Sequence, residues 1–179
     1  MKRITNSRSK AGCCGLSTRS AEAEELHSVR QHVEELVELV CKAFQNVKLG
    51  DGIGLYESDG IDSYLGSEAR EQLRANDEKE DWRKISTESL NYCNAAPAFL
   101  DADGMRFHTP AFLMAELKGV YNQSFMSCLI DGTHIAAEFP MILTADQRAA
   151  VVACIRFYGS IEHYNYDSEQ IAAAVARFS

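Results

Sequence analysis

Asp101, Asp103, Arg106 and His108 bring two acids, a guanidinium and an imidazole into one short run of this 179-residue chain. An Asp or a His there could serve as a general base while the Arg holds an anion. That is the chemistry of a small hydrolase or another acid–base enzyme. The local spacing also has a plainer reading. Asp101 and Asp103 are turn and N-cap residues by type, Asp103 and Arg106 are three apart and would be neighbours on a helical turn, and His108 sits among apolar residues. The Asp101-Ala102-Asp103-Gly104 run does not complete a calcium loop. In that register the twelfth position, which needs a bidentate Glu, falls on Pro110.

A second candidate lies upstream. Asn76-Asp77-Glu78-Lys79-Glu80-Asp81 is the densest acidic run, and Trp82, the single Trp, follows it. Trp beside acids either anchors a surface segment to the core or serves as an exposed hot spot. On the second reading Trp82, Asp77, Glu78, Glu80 and Asp81 form a binding surface. Glu57, Asp59 and Asp62 make a smaller acidic group without a complete oxygen-ligand motif. His27 and His32, five apart, share no helical face. Gly50-Asp51-Gly52-Ile53-Gly54 lacks the Gly-Lys-Ser/Thr of a phosphate loop and reads as a connector. Neither a metal nor a cofactor is called for.

The elements that position these groups read as helices. From Ser20, Leu26, Val29, Val33, Leu36, Val37, Val40, Phe44 and Val47 recur every three or four residues, with Glu34, Glu35 and Glu38 opposite. Ser67 should cap a polar helix, Glu68 to about Lys79, anchored by Leu73, and Ser86 to Cys93 should form a short one with Leu90 inward. Thr109-Pro110 has the form of an N-cap and first helical residue, opening a helix that carries Phe112, Leu113, Leu117, Val120 and Tyr121. Gly119 either ends that helix in the left-handed region or sits within a longer one. A further helix should close at Asp131-Gly132, and Pro140 should break the chain. Thr144/Gln147 and Asp167/Gln170 are capping boxes opening two last helices, the first reaching about His163. Met141-Ile142-Leu143 is the one possible strand stub. The expectation is an all-α, single-domain compact helical bundle over 21–179 with a disordered basic tail over 1–20.

The run F-x-D-A-x-G-M-R-F-H-x-P-A-F-x-x-A-E-L, Phe99 to Leu117, resembles the signature of an uncharacterised bacterial family, a domain of unknown function. Leu55-Tyr56-Glu57, Ile61-Asp62-Ser63-Tyr64, Asp81-Trp82-Arg83-Lys84-Ile85 and Leu143-Thr144-x-x-Gln147 add to the likeness. The family pattern favours Leu where this chain has Thr109. The resemblance implies a small, mostly helical, soluble domain and no particular reaction.

Composition narrows the function classes. Hydrophobic content of 46% and charged content of 25% suit an ordinary globular domain. Lys2, Arg3, Arg8, Lys10 and Arg19 give residues 1–20 five positive charges and no acid. The net charge of −8 therefore leaves −13 on residues 21–179. Such a domain repels nucleic-acid phosphates and anionic lipid and attracts a basic protein. Six cysteines without framework spacing suggest buried thiols in a reducing cytoplasm, with Cys13-Cys14 adjacent in the tail. No apolar run is long enough for a signal peptide or a membrane span. The leading expectation is a cytoplasmic protein-binding module for a basic partner, one version being an immunity-type protein that neutralises a toxin. The alternatives are the acid–base enzyme of Asp101, Asp103, Arg106 and His108, and an assembly role through the Phe112 helix.

Overall fold

In the computed structural model, which describes residues 15–161, 164 and 166–179, every regular element is a helix. The all-α expectation holds among the described residues, where no strand occurs. The chain divides into two units, Met1–Glu35 and Leu36–Ser179. The break falls inside the first helix, α1 (Gly15–Ala43). The rest of the basic tail, residues 1–14 with Cys13 and Cys14, lies outside the described residues. The apolar period of α1 runs ahead of its burial. Leu26 and Val29 are exposed, at 69% and 43%, and Leu36 is the first residue of the core.

The second unit is built around α5 (Ala102–Leu117). Thr109-Pro110 does not open it. The helix starts eight residues earlier, where the Asp101 carboxylate accepts the Gly104 N–H at 2.8 Å. Thr109 and Pro110 are buried inside the helix. The Thr109 hydroxyl donates to the Met105 carbonyl (2.7 Å), and Pro110 has no N–H to offer the Arg106 carbonyl. A Pro in a helix interior costs about 3 kcal/mol, so packing must outweigh the local preference. It does so here because α5 is buried nearly all round, with Met105, Phe107, Phe112 and Leu113 fully enclosed. Phe112 stacks on Phe125 with ring centroids 4.8 Å apart, so its face is interior and offers no dimer surface. The helix closes ahead of Gly119 rather than running on through it. Gly119 takes φ +67°, and the N–H groups of Gly119 and Val120 close back on the carbonyls of Glu116 and Ala115.

The other helices are α2 (Leu55–Asp62), which packs against α3 (Ser67–Arg74), then α4 (Thr87–Tyr92), and α6 (Phe125–Asp131), which packs against α5. The remaining helices are α7 (Phe139–Ile142), α8 (Ala145–Gly159) and α9 (Ser168–Arg177). Both capping boxes form, Thr144 with Gln147 and Asp167 with Gln170. Gly132 ends α6 at φ +68°. Ser67 is not a cap but the first residue of α3, behind Gly66. Pro140 does not break the chain. It occupies the first turn of α7, where its missing N–H costs nothing, and so Met141-Ile142 are helical rather than a strand stub.

Many of these short helices are finished by side chains from far along the chain. The carbonyls closing α1 receive the Trp82 indole N–H (on Phe44, 2.9 Å), the Gln147 amide (on Ala43, 3.4 Å) and Arg83 (on Cys41, 3.4 Å). Arg177 of α9 donates to the carbonyl of Leu129 near the end of α6 at 2.7 Å. Glu116 of α5 accepts the Met126 N–H (2.8 Å) and the Ser124 hydroxyl (2.9 Å) at the start of α6. Helix ends leave N–H and C=O groups without intrahelical partners, and these long-range bonds satisfy them while locking helix to helix.

Candidate functional site

The acidic run beside Trp82 is engaged mostly with its own chain. Asp77 is 8% exposed and its two carboxylate oxygens accept the N–H groups of Tyr56 (2.7 Å) and Glu57 (3.3 Å), in the first turn of α2. Gly54, the residue before that helix, has no side chain with which to do this. Burial pushes the Asp77 carboxyl above its ordinary range, against the lowering effect of those two bonds. One oxygen of Glu78 accepts three backbone N–H groups, from Lys79, Glu80 and Asp81. The bonds from Glu80 and Asp81 hold its carboxyl below the usual range. Glu80 pairs with Lys48 at the surface. Asp81 caps the 3₁₀ turn Trp82–Lys84 by accepting the Arg83 N–H at 3.1 Å, which lowers its pKa. Trp82 is 3% exposed and takes Arg83 over its ring, 4.6 Å from the centroid. In this geometry the indole is an anchor rather than a surface hot spot.

The Gly-rich connector now has a physical reason. Gly50 needs its φ of +58°. A Cβ on Gly52 would lie 2.7 Å from the Gly104 nitrogen, and one on Gly54 would lie 2.0 Å from the Asp77 carboxylate. The connector threads between two acid-capped helix starts. Asp101 Oδ1 also accepts the Ile53 N–H at 2.9 Å, and Arg74 reaches the carbonyls of Gly50 and Gly52 and the Glu57 carboxylate. Glu57 is thus paired with Arg74. No group of three His, Cys, Asp or Glu among the described residues is arranged to hold a metal.

The enzyme quartet does not converge. Asp101 is committed to two backbone N–H groups. Asp103 and Arg106 form the expected i,i+3 pair at 3.0 Å, with half of the Asp103 side chain in solvent. A pair that exposed contributes under about 1 kcal/mol. On a helix of 3.6 residues per turn His108 points away from both. It is 1% exposed, and its Nδ1 lies 2.7 Å from the Gly104 carbonyl. A carbonyl only accepts, so Nδ1 carries the proton. Burial pulls the pKa down to about 4, with the Gly104 bond and the Asp101 charge pulling the other way. The ring is therefore neutral at pH 7, and Nε2 is an acceptor.

That ring lines a crevice of about 280 Å³ together with Asp77 and Glu78 from the acidic run. Tyr56, Lys84, Ser86 and Ser89 complete most of its wall. The Tyr56 and Ser89 hydroxyls lie 2.8 Å apart, and those of Ser89 and Ser86 3.1 Å apart. The structure thus joins one member of the enzyme quartet to two acids of the proposed binding surface, and leaves out the rest of both sets. Lys84 and Ser89 follow no spacing that the sequence would flag, and Ser86 is legible there only as a helix cap.

The profile of a family of unknown function, DUF6714, matches residues 32–178. The chain belongs to this family. The match agrees with the expectation of an uncharacterised domain, and it spans all the crevice residues of the DUF6714 domain and the connector that supports them. No curated protein and no solved structure matches the chain. No helix among the described residues is long and apolar enough to cross a membrane.

Proposed function

We propose that the chain is a protein-binding module that engages a basic partner through exposed acidic helix faces. The observation that carries this reading is where the surplus charge sits. Residues 21–179 bear −13. Glu38 on α1, and Glu68 and Glu71 one helical turn apart on α3, stand on exposed surface of the second unit. They add to the acidic run, where Asp77, Glu78 and Asp81 accept backbone N–H groups of their own chain and Glu80 pairs with Lys48 at the surface. Like-signed surface charge of this kind steers a complementary partner and disfavours phosphate backbones. An immunity-type protein is one version of the reading. The acid–base alternative draws less support, because an imidazole with a pKa of about 4 is a weak base at neutral pH and no carboxylate of its quartet lines the crevice beside it.

The test is capture of partners by the tagged full chain from its own lysate at low and high salt, read by mass spectrometry. The reading expects one stoichiometric basic protein that is released by salt. Capture of nothing, or of a partner indifferent to salt, would overturn it.

A further inference from the structure

The crevice under His108 is a built site of a different kind from the exposed acidic faces. Its wall includes the imidazole of His108, 1% exposed, whose Nδ1 is tied back to its own helix, and among the described residues no group donates to its Nε2. Two carboxylates, Asp77 and Glu78, line the same space, with one cation, Lys84. Asp77 is fixed by two backbone N–H groups, and Glu78 uses one oxygen for its own turn, so both are pre-positioned acceptors. The Tyr56 and Ser89 hydroxyls bond to one another. The wall therefore offers acceptors and a net single negative charge. An anion would meet two carboxylates, and a metal ion lacks a suitable ligand set. The volume of about 280 Å³ is at the small end of ligand pockets, which run from roughly 300 Å³.

We propose that this crevice binds a primary alkylammonium group, its N–H donors meeting His108, Asp77 and Glu78. The group could belong to a free small amine or to a lysine side chain, and the test separates the two.

The full-length chain, labelled with ¹⁵N-histidine, is titrated at pH 7.5 and constant ionic strength with n-butylamine, with Nα-acetyl-lysine amide and with tetramethylammonium. The Nε2 resonance of His108, assigned by its absence in His108→Asn, is the readout. A saturable shift with n-butylamine identifies a free-amine site, and one with the lysine derivative alone identifies a side-chain site. Tetramethylammonium, which has the charge without the donors, leaves the resonance in place. Glu78→Gln keeps an acceptor for the turn and should raise Kd about tenfold, the size expected for a lost charged hydrogen bond. Lys84→Met removes a like charge and should lower Kd by roughly threefold. Absence of a saturable shift with either amine, an equal shift with tetramethylammonium, or unchanged Kd in both variants would overturn the assignment.

Discussion

Acidification should destabilise this fold through His108 by an amount the structure sets. The ordinary imidazole value is 6.5, and burial brings His108 to about 4 in the folded state. Between those values the unfolded chain binds a proton that the native chain does not. Stability is therefore fully present above pH 6.5 and falls as the pH drops toward 4, by about 1.4 kcal/mol per pH unit. At pH 5 the loss is about 2 kcal/mol, and near pH 4 about 3 kcal/mol, a large part of the roughly 5–15 kcal/mol that stabilises a domain. Asp77 and Glu116 act in the opposite sense. Burial raises both carboxyls, so the native state holds their protons at pH values where the unfolded chain has released them, and each contributes stability that declines as pH rises through its folded value. The His108 contribution is isolated by comparison with His108→Asn, whose side-chain amide can still donate to the Gly104 carbonyl. The assay is urea unfolding of both proteins at pH 7, 6 and 5. The wild type should lose about 2 kcal/mol more than the variant across that range. Parallel pH profiles, or a His108 titration midpoint near 6.5, would refute the reasoning.

Other predictions test the internal roles given to the acidic run and its neighbours. Gly54→Ala drives a methyl into the Asp77 carboxylate and should cost about 2–4 kcal/mol in thermal or urea unfolding, from overpacking and loss of the bonds that carboxylate makes to α2. Trp82→Phe keeps most of the buried ring but leaves the Phe44 carbonyl without its donor, and should lower stability by about 1–3 kcal/mol in the same measurement. Burial pushes the thiols of Cys93 and Cys154 up to about 12, so both should resist alkylation at pH 8 in the native protein and react only on denaturation, as mass spectrometry would show.

What was legible in the sequence was local. Thr144 with Gln147, Asp167 with Gln170, Ser86, and Gly119 and Gly132 at their helix ends act through bonds a few residues long, and spacing alone finds them. Thr109-Pro110 misled because a local preference was overruled by burial on every side of α5. Pro140 and Met141 misled because a first-turn Pro and a one-turn helix leave almost no period to read. The site was half legible. His108, Asp77 and Glu78 are chemical candidates by residue type, in two separate stretches of the chain. Their meeting depends on Asp77 capping a helix that starts some twenty residues earlier, with Tyr56 and Ser89 brought in from α2 and α4. Nothing in periodicity encodes such a contact, just as nothing links Arg177 to the end of α6.

The proposed function is tested most directly by the salt dependence of affinity for the captured basic partner. The wild-type chain is compared with a variant carrying Glu38→Gln, Glu68→Gln and Glu71→Gln, exposed positions whose neutralisation should leave the fold intact. Between about 0.05 and 0.5 M salt, where charges at the surface pass from weakly to strongly screened, wild-type affinity should fall by an order of magnitude or more. The variant should bind more weakly at low salt and respond less to added salt. Equal affinities and equal salt slopes for the two proteins would contradict recognition through the acidic helix faces.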